Sequence, residues 1–395
     1  MLIHSVAVLK LLRRLESIRP IGLGVLVALC ALVFVGARLA LAADGDVTKF
    51  VVAGDSFVDR NAVDPPIHVF ASSGYDGQFY WRMAVAPTDH RLESSHGVRL
   101  DQEIRLGRIG YPSLAWLGSL GRPSLVAWSL VLVNVLGLGV ITLFAAGFAR
   151  DRGLSSWWGL AVASSSGLAM SLARDLCEIV MIAGLVGAAL AISRQRPYLA
   201  AAGFTVAVLT HEQSLVVILT YALWRLKSVV ETRRLCVEDV AWFVPLSMFV
   251  CWQTVCAVAW GQAPVTQSGG KNLDLPFVGL ARLLGRWIQG DLPVQHVLAP
   301  LQLLLMTAIV VVALRRTAAD SADTWLRVSL ALGTMMATCI SYNVLKSPAE
   351  FRTMVIVPTL GFLAILASSE RPPVWLLGSS VTVLIATIGL RVVAV

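Results

Sequence analysis

The chain alternates between apolar runs and short polar connectors. The first run, Ile21 to Ala42, follows Lys10, Arg13, Arg14 and Arg19. A second lies within Ser124 to Phe148, and Trp157 to Ala173 and Leu176 to Ile192 come next. Later runs are Ala241 to Trp260, Val297 to Leu314, Trp325 to Val344, Thr353 to Ala367 and Val374 to Val392. Between them, Tyr198 to Thr210 and Gln213 to Trp224 meet at His211-Glu212, and each is shorter than the roughly 20 residues of a full membrane crossing. They read either as two half-crossings that return to one side around a cavity, or as one long tilted span with the polar pair at its centre. Basic residues at both outer ends (Arg194 and Arg196; Arg225, Lys227, Arg233 and Arg234) favour the returning pair. Two polar segments are longer, 44–111 and 261–296. The first has room for two short helices. Tyr111 to Leu120 reads as an interfacial helix, and Phe277 to Ile288 as an amphipathic helix lying on a membrane surface. The pattern predicts an all-α integral membrane protein, a single transmembrane domain over 1–395, with a bundle of about ten or eleven transmembrane helices.

Composition agrees. Apolar residues make up 57% of the chain, charged residues 14%, and mean hydropathy is +0.75. A soluble domain carries roughly a quarter charged residues. The net charge of +8 matters through its placement. Short connectors hold the basic residues, so the positive-inside bias puts them and the N-terminus in the cytoplasm and both long loops outside. The first run ends in Leu-Ala-Leu-Ala-Ala, which resembles a signal-peptidase site. It is longer than the roughly 7–15-residue core of a cleaved signal, and Arg38 can snorkel from its outer end, so it reads as a retained span. No basic stretch is interleaved with exposed aromatics, which excludes nucleic acid as a partner. The six cysteines show no CxxC spacing and lie mostly in apolar runs, as small fillers. There is no P-loop, HExxH or GxSxG, which argues against an ATP-driven pump.

Charges at membrane depth cost at least about 2.5–3.5 kcal/mol each at mid-bilayer. Asp76, Arg105, Arg108, Arg174, Asp175, Glu178, His211, Glu212, Lys346, Glu350 and Arg352 all fall at the external ends of the predicted spans. Asp76, within Gly74-Tyr75-Asp76-Gly77-Gln78-Phe79-Tyr80-Trp81, has the aromatic, glycine-flanked setting of a general base or metal ligand; the alternative is a turn whose Asp caps the next helix. Arg105 and Arg108, three apart, can grip one phosphate or touch headgroups. Asp175 and Glu178 share a helix start beside Arg174, as a capped turn or as part of a cation site. Glu212 beside His211 needs a partner or a proton. Arg352 is an anion grip or a surface partner of Glu350.

Tyr75-Asp76-Gly77-Gln78-Phe79-Tyr80, then Arg108-Ile109-Gly110-Tyr111-Pro112, Arg174-Asp175-Leu176-Cys177-Glu178 and Leu209-Thr210-His211-Glu212-Gln213, taken in order, resemble bacterial multi-pass proteins of the GT-C glycosyltransferase class. The resemblance is to a branch with a Tyr-Asp-Gly-Gln-Phe-Tyr first-loop signature, and more distantly to the GPI mannosyltransferases. It covers roughly residues 20 to 225; the last third matches in its alternation of spans and in Glu350-Phe351-Arg352. The resemblance implies a GT-C-like bundle in the bacterial inner membrane, with an active site on the extracytoplasmic face. It implies transfer of a sugar from a polyprenyl-phosphate carrier to an envelope glycan, lipid or protein acceptor, among membrane lipids. Asp76 would be the base, with Glu212 also catalytic. Tyr75, Gln78, Arg105, Arg108, Tyr111, Arg174, Asp175, Glu178, His211 and Arg352 would bind substrate. Some relatives use a divalent cation (Mg or Mn) and others none; Asp175, Glu178 and Glu212 are the acids available to one, and no metal site is assigned. Asp76 stands alone where many relatives carry two adjacent acids, His211 stands where the branch often has Arg or Lys, and Ile179 stands where a Pro is usual. A lipid or solute transporter or flippase is the rival reading, and it would concentrate polar residues at mid-membrane. A catalytically inactive envelope scaffold is the third.

Overall fold

The computed structural model describes residues 19–89, 93–261, 263–267, 272–291, 298–346 and 350–392. Lys10, Arg13 and Arg14, parts of the second long loop and the Glu350 side chain lie outside the described residues. The described chain is predominantly helical, with one two-stranded parallel sheet, β1 (Ala53–Gly54) and β2 (Val69–Phe70), in the first long loop. Its helices are α1 (Pro20–Leu41), α2 (Gly77–Val85), α3 (Gly110–Gly118), α4 (Val126–Asp151), α5 (Gly159–Ala163), α6 (Ser166–Leu172), α7 (Glu178–Ser193) and α8 (Pro197–Thr210). There follow α9 (Leu215–Thr232), α10 (Val240–Trp260), α11 (Val278–Ile288), α12 (Ala299–Arg315), α13 (Thr324–Thr338), α14 (Tyr342–Leu345), α15 (Ile356–Leu366) and α16 (Val374–Val392).

Three helical stretches, Pro20–Leu41, Pro123–Asp151 and Val237–Trp260, are long and apolar enough to cross a membrane, and α7, α8, α12, α15 and α16 are shorter apolar helices. Large apolar side chains stand exposed along α1 (Ile21, Val25, Leu29, Val33) and α10 (Phe243, Val250, Val258), an arrangement that calls for an apolar neighbour. Helix α4 is central and packs against α1 and α7; α7 in turn packs against α8, and α8 against α10. Where α7 and α8 cross, a Cβ on Gly184 would meet the Gly203 carbonyl at 2.5 Å, and one on Gly203 would meet the Gly184 carbonyl at 2.7 Å. Only glycine lets the two backbones come that close.

Two predicted runs are interrupted. Trp157 to Ala173 breaks into α5 and α6, because Ser165 turns extended and the Ser164 hydroxyl donates back to the Ala161 carbonyl at 3.0 Å. The run ending at Val344 stops at Thr338: Ile340 pairs with Leu273 as an isolated bridge, and the Ser341 N–H donates to the Asn272 carbonyl. Asn272 and Leu273 thereby join the second long loop to the end of α13.

The chain doubles back between α8 and α9. His211 is extended (φ −157°, ψ 128°), and the Phe204 and Tyr221 rings, one on each helix, lie 5.8 Å apart. The two helices form a hairpin with His211-Glu212 at its vertex, as the returning pair requires.

The bundle therefore has two unlike ends. One gathers the basic connectors: Arg194 pairs with Asp151 (2.7 Å), Arg152 with Asp323 (2.7 Å), Arg225 with Asp239 (3.0 Å), and Arg316 donates to the carbonyls of Glu370 and Arg371. The other gathers the described parts of the first long loop, the segment 174–178, the hairpin vertex and residues 340–346 and 350–353.

Candidate functional site

At this second end, short backbone elements aim charged side chains at one another. The Tyr75 N–H donates to the Val52 carbonyl at 2.8 Å, and the Asp76 carbonyl accepts from the N–H groups of Phe79 and Tyr80 as α2 begins. Gly77 is wedged in place: a Cβ there would meet the carbonyl oxygens of Arg174 and Val51, each at 2.6 Å. The Asp76 side chain does not cap α2. Its Oδ2 accepts instead from Arg105 Nη1 (2.7 Å) and Arg352 Nη2 (2.8 Å).

Each of three arginines is engaged several times over. Arg105 also closes on both oxygens of Asp101 (3.1 Å each), with the Phe79 ring 5.2 Å away. Arg108 closes on both oxygens of Glu212 (2.9 and 2.5 Å) and reaches the Tyr80 hydroxyl at 3.2 Å. Arg352 bonds Glu178 as well, and its Nε donates to the Tyr75 hydroxyl at 3.1 Å. Glu178 is fully buried and its second oxygen accepts from Ser171 at 3.0 Å. Arg174 lies over the Tyr75 ring, 4.8 Å from its centroid, and Arg352 lies 5.1 Å from the same centroid.

Burial pushes the Asp76 carboxyl upward, but the guanidiniums of Arg105, Arg352 and Arg108 overcome it and hold the group well below the usual carboxylate range. Glu212 follows the same pattern: burial raises it, and Arg108 and then His211 hold it far below. Burial and the nearby Arg108 bring His211 down to about 4, so it is a neutral imidazole at pH 7. Its Nδ1 accepts from the Gln213 N–H at 3.3 Å.

Tyr75, Asp76, Arg105, Arg108, His211, Glu212 and Arg352 line one open cleft of about 420 Å³. Gln213, Asn272, Leu273, Ile340, Asn343 and Thr353 complete much of its wall. Glu178 sits behind Arg352. The other predicted residues face elsewhere. Gln78 accepts from the Gly54 N–H (3.0 Å) and donates to the Ser73 carbonyl (3.1 Å), so both ends of its amide brace the loop. The Tyr111 hydroxyl donates to the Leu130 carbonyl (3.0 Å) and accepts from Asn134 (2.9 Å) inside the bundle. Asp175 is fully buried with φ +49°. Burial pushes its carboxyl well above the usual range against the pull of Arg38. Neither Gln78, Tyr111, Arg174 nor Asp175 lines the cleft.

Three further members escaped the sequence reading. Asp101 had a signal, standing four residues before Arg105, a spacing at which opposite charges meet. Tyr80 lay within the first-loop motif, one helical turn from Asp76. Cys177 has the sequence setting of a small filler, yet its sulfur lies 3.0 Å from the Tyr80 hydroxyl; nothing in its spacing announces this.

A divalent cation does not fit well. Among the described residues Asp175, Glu178 and Glu212 do not form one cluster of ligand atoms, and Arg352 holds Glu178 while Arg108 holds Glu212. Among the described residues, Cys177, Glu178 and His211 bring ligand atoms within 4.8 Å of one another. That set offers sulfur and nitrogen where Mg and Mn prefer oxygen, and the Arg352 guanidinium already holds Glu178. No protein-family model matches the chain, and no curated protein matches it.

Proposed function

We propose that the chain is a multi-pass membrane glycosyltransferase of the GT-C kind, moving a sugar from a polyprenyl-phosphate carrier to an acceptor on the extracytoplasmic face. The observation that carries this reading is the cleft, where three guanidiniums and Asp76 converge at the end of an apolar bundle opposite the basic connectors. The guanidiniums suit a phosphate, the exposed apolar helices suit a lipid tail, and Asp76 suits an acceptor hydroxyl. A transporter would need its polar groups along a path through the bundle, whereas these gather at one end.

The chemistry is a displacement at the anomeric carbon. The acceptor oxygen bonds to that carbon as its proton passes to Asp76. The bond from the carbon to the phosphate oxygen breaks, and its electron pair leaves with the polyprenyl phosphate. The leaving group is already a stable anion, so a single carboxylate suffices, in contrast to the pair that glycosidases use. Neutral His211 and Arg108-bound Glu212 line the same cleft and orient the acceptor.

The test is transfer from polyprenyl-phosphate sugars by protein reconstituted in lipid nanodiscs. Asp76→Ala is expected to lose transfer by a factor on the order of 10²–10⁴, the range of general-base contributions. Equal turnover by wild type and Asp76→Ala would sink the mechanism.

A further inference from the structure

The cleft offers an anion three guanidiniums, and protein groups already hold all of them. Arg108 closes on both oxygens of Glu212, and Arg105 on both oxygens of Asp101. Both oxygens of Glu178 are engaged too, by Arg352 and Ser171. Asp76 differs. Both of its arginine contacts fall on one atom, Oδ2, at 2.7 Å from Arg105 and 2.8 Å from Arg352. It is also the carboxylate that two different arginines share, and both of those arginines line the cleft.

An oxygen of a tetrahedral phosphate placed where Oδ2 now sits would meet the same two donors, each giving it a charge-assisted hydrogen bond. We propose that Asp76 Oδ2 occupies the seat of a ligand phosphate oxygen, so that a phosphate ester binds by displacing this carboxylate from Arg105 and Arg352. The proposal rests on the glycosyl-transfer reading and deepens it. Two guanidiniums now hold Asp76 far below the range of an effective base. Once the phosphate takes them, the carboxylate is free to turn to the acceptor with a greater appetite for its proton. The same contact that silences the base before the donor arrives would thus arm it afterwards, and an acceptor alone in the cleft would meet an unreactive carboxylate.

The experiment measures binding of a short-chain prenyl monophosphate without sugar, to wild type and to Asp76→Asn in nanodiscs, with inorganic phosphate as a second arm. Asp76→Ser is the second neutral variant, and the melting temperature reports which variants are folded. Emptying the seat of its internal anion is expected to tighten prenyl phosphate binding by roughly tenfold or more, equivalent to about 1.4 kcal/mol, while transfer is lost. Equal or weaker binding by the folded neutral variants overturns the displacement and leaves the glycosyl-transfer reading standing. Prenyl phosphate binding by neither wild type nor variants overturns both. Tightening for inorganic phosphate and not for prenyl phosphate upholds the displaced carboxylate and overturns the lipid as its source.

Discussion

At the connector end of the bundle, ions meet mostly as pairs: Arg194 with Asp151, and Arg152 with Asp323. Each pair staples two neighbouring connectors, and the Arg194–Asp151 pair stands 49% and 33% exposed. At the cleft end the ions form a network. Arg352 reaches Asp76, Glu178 and Tyr75 together, and Asp76 takes two guanidiniums at once. The members come from remote parts of the chain and are mostly buried. The exposed Arg194–Asp151 pair gains little, because water's high dielectric weakens it, whereas buried partners depend on one another, because removing one strands the rest. The contrast sets isolated fastenings at one end against a coupled network at the other, where the proposed site lies.

The largest effect that would test this contrast is expected at the hub. Arg352→Ala leaves Glu178 and Asp76 without a shared partner and is expected to cost about 3–5 kcal/mol, read as a fall in melting temperature. Arg352→Lys should recover only part, since an ammonium cannot reproduce the planar fork that reaches three groups. A melting temperature unchanged in Arg352→Ala would erase the distinction between the ends.

Acid should act next. Native His211 stays neutral down to about pH 4, whereas an unperturbed histidine takes its proton near pH 6.5. In that window the unfolded chain binds the extra proton, so stability falls as pH drops from about 6.5 to 4, by about 3 kcal/mol in all. Below about pH 4, Asp76 and Glu212 are protonated in the unfolded chain before the native one, so their contribution declines further. Melting profiles against pH check this, and His211→Gln should flatten the upper part of the curve. The smallest effect belongs to the staples. Arg194→Ala is expected to change stability by no more than about 1 kcal/mol and to leave turnover unaltered in the nanodisc assay.

Much of this architecture could be read from the chain itself. Apolar runs foretold where α1, α4, α7, α10 and α16 fall, because leaving a run of that length exposed to water is costly whatever its partners. Segregation of Asp76, Arg105, Arg108, Glu212 and Arg352 away from the basic connectors foretold that they share an end. Their pairing was not legible. Arg352 and Asp76 are 276 residues apart, and no local spacing encodes a contact that tertiary packing alone creates. The Glu350 side chain lies outside the described residues, and the Arg352 guanidinium reaches the buried anions Glu178 and Asp76. Gln78 and Tyr111 stand outside the cleft lining for a related reason. A polar side chain inside a motif can serve the ligand or the loop that presents it, and here the amide and hydroxyl satisfy backbone and bundle groups. The Ser164-Ser165 break was hidden because serine is neutral in hydropathy, and only its hydrogen bond to the preceding turn reveals it.

Gly77 gives the site a particular kind of fragility. Two carbonyl oxygens, from Val51 and Arg174, fill the space a side chain would need, so the backbone before α2 is clamped between two otherwise separate loops. The neighbouring carboxylate is aimed by that clamp as well as by its own rotamer. Drift in the loop carrying Val51, or in the turn carrying Arg174, would move Asp76 without altering a single residue of the cleft. Over a lineage of sequences, the residues answerable for where that carboxylate points would therefore include ones that never touch a ligand.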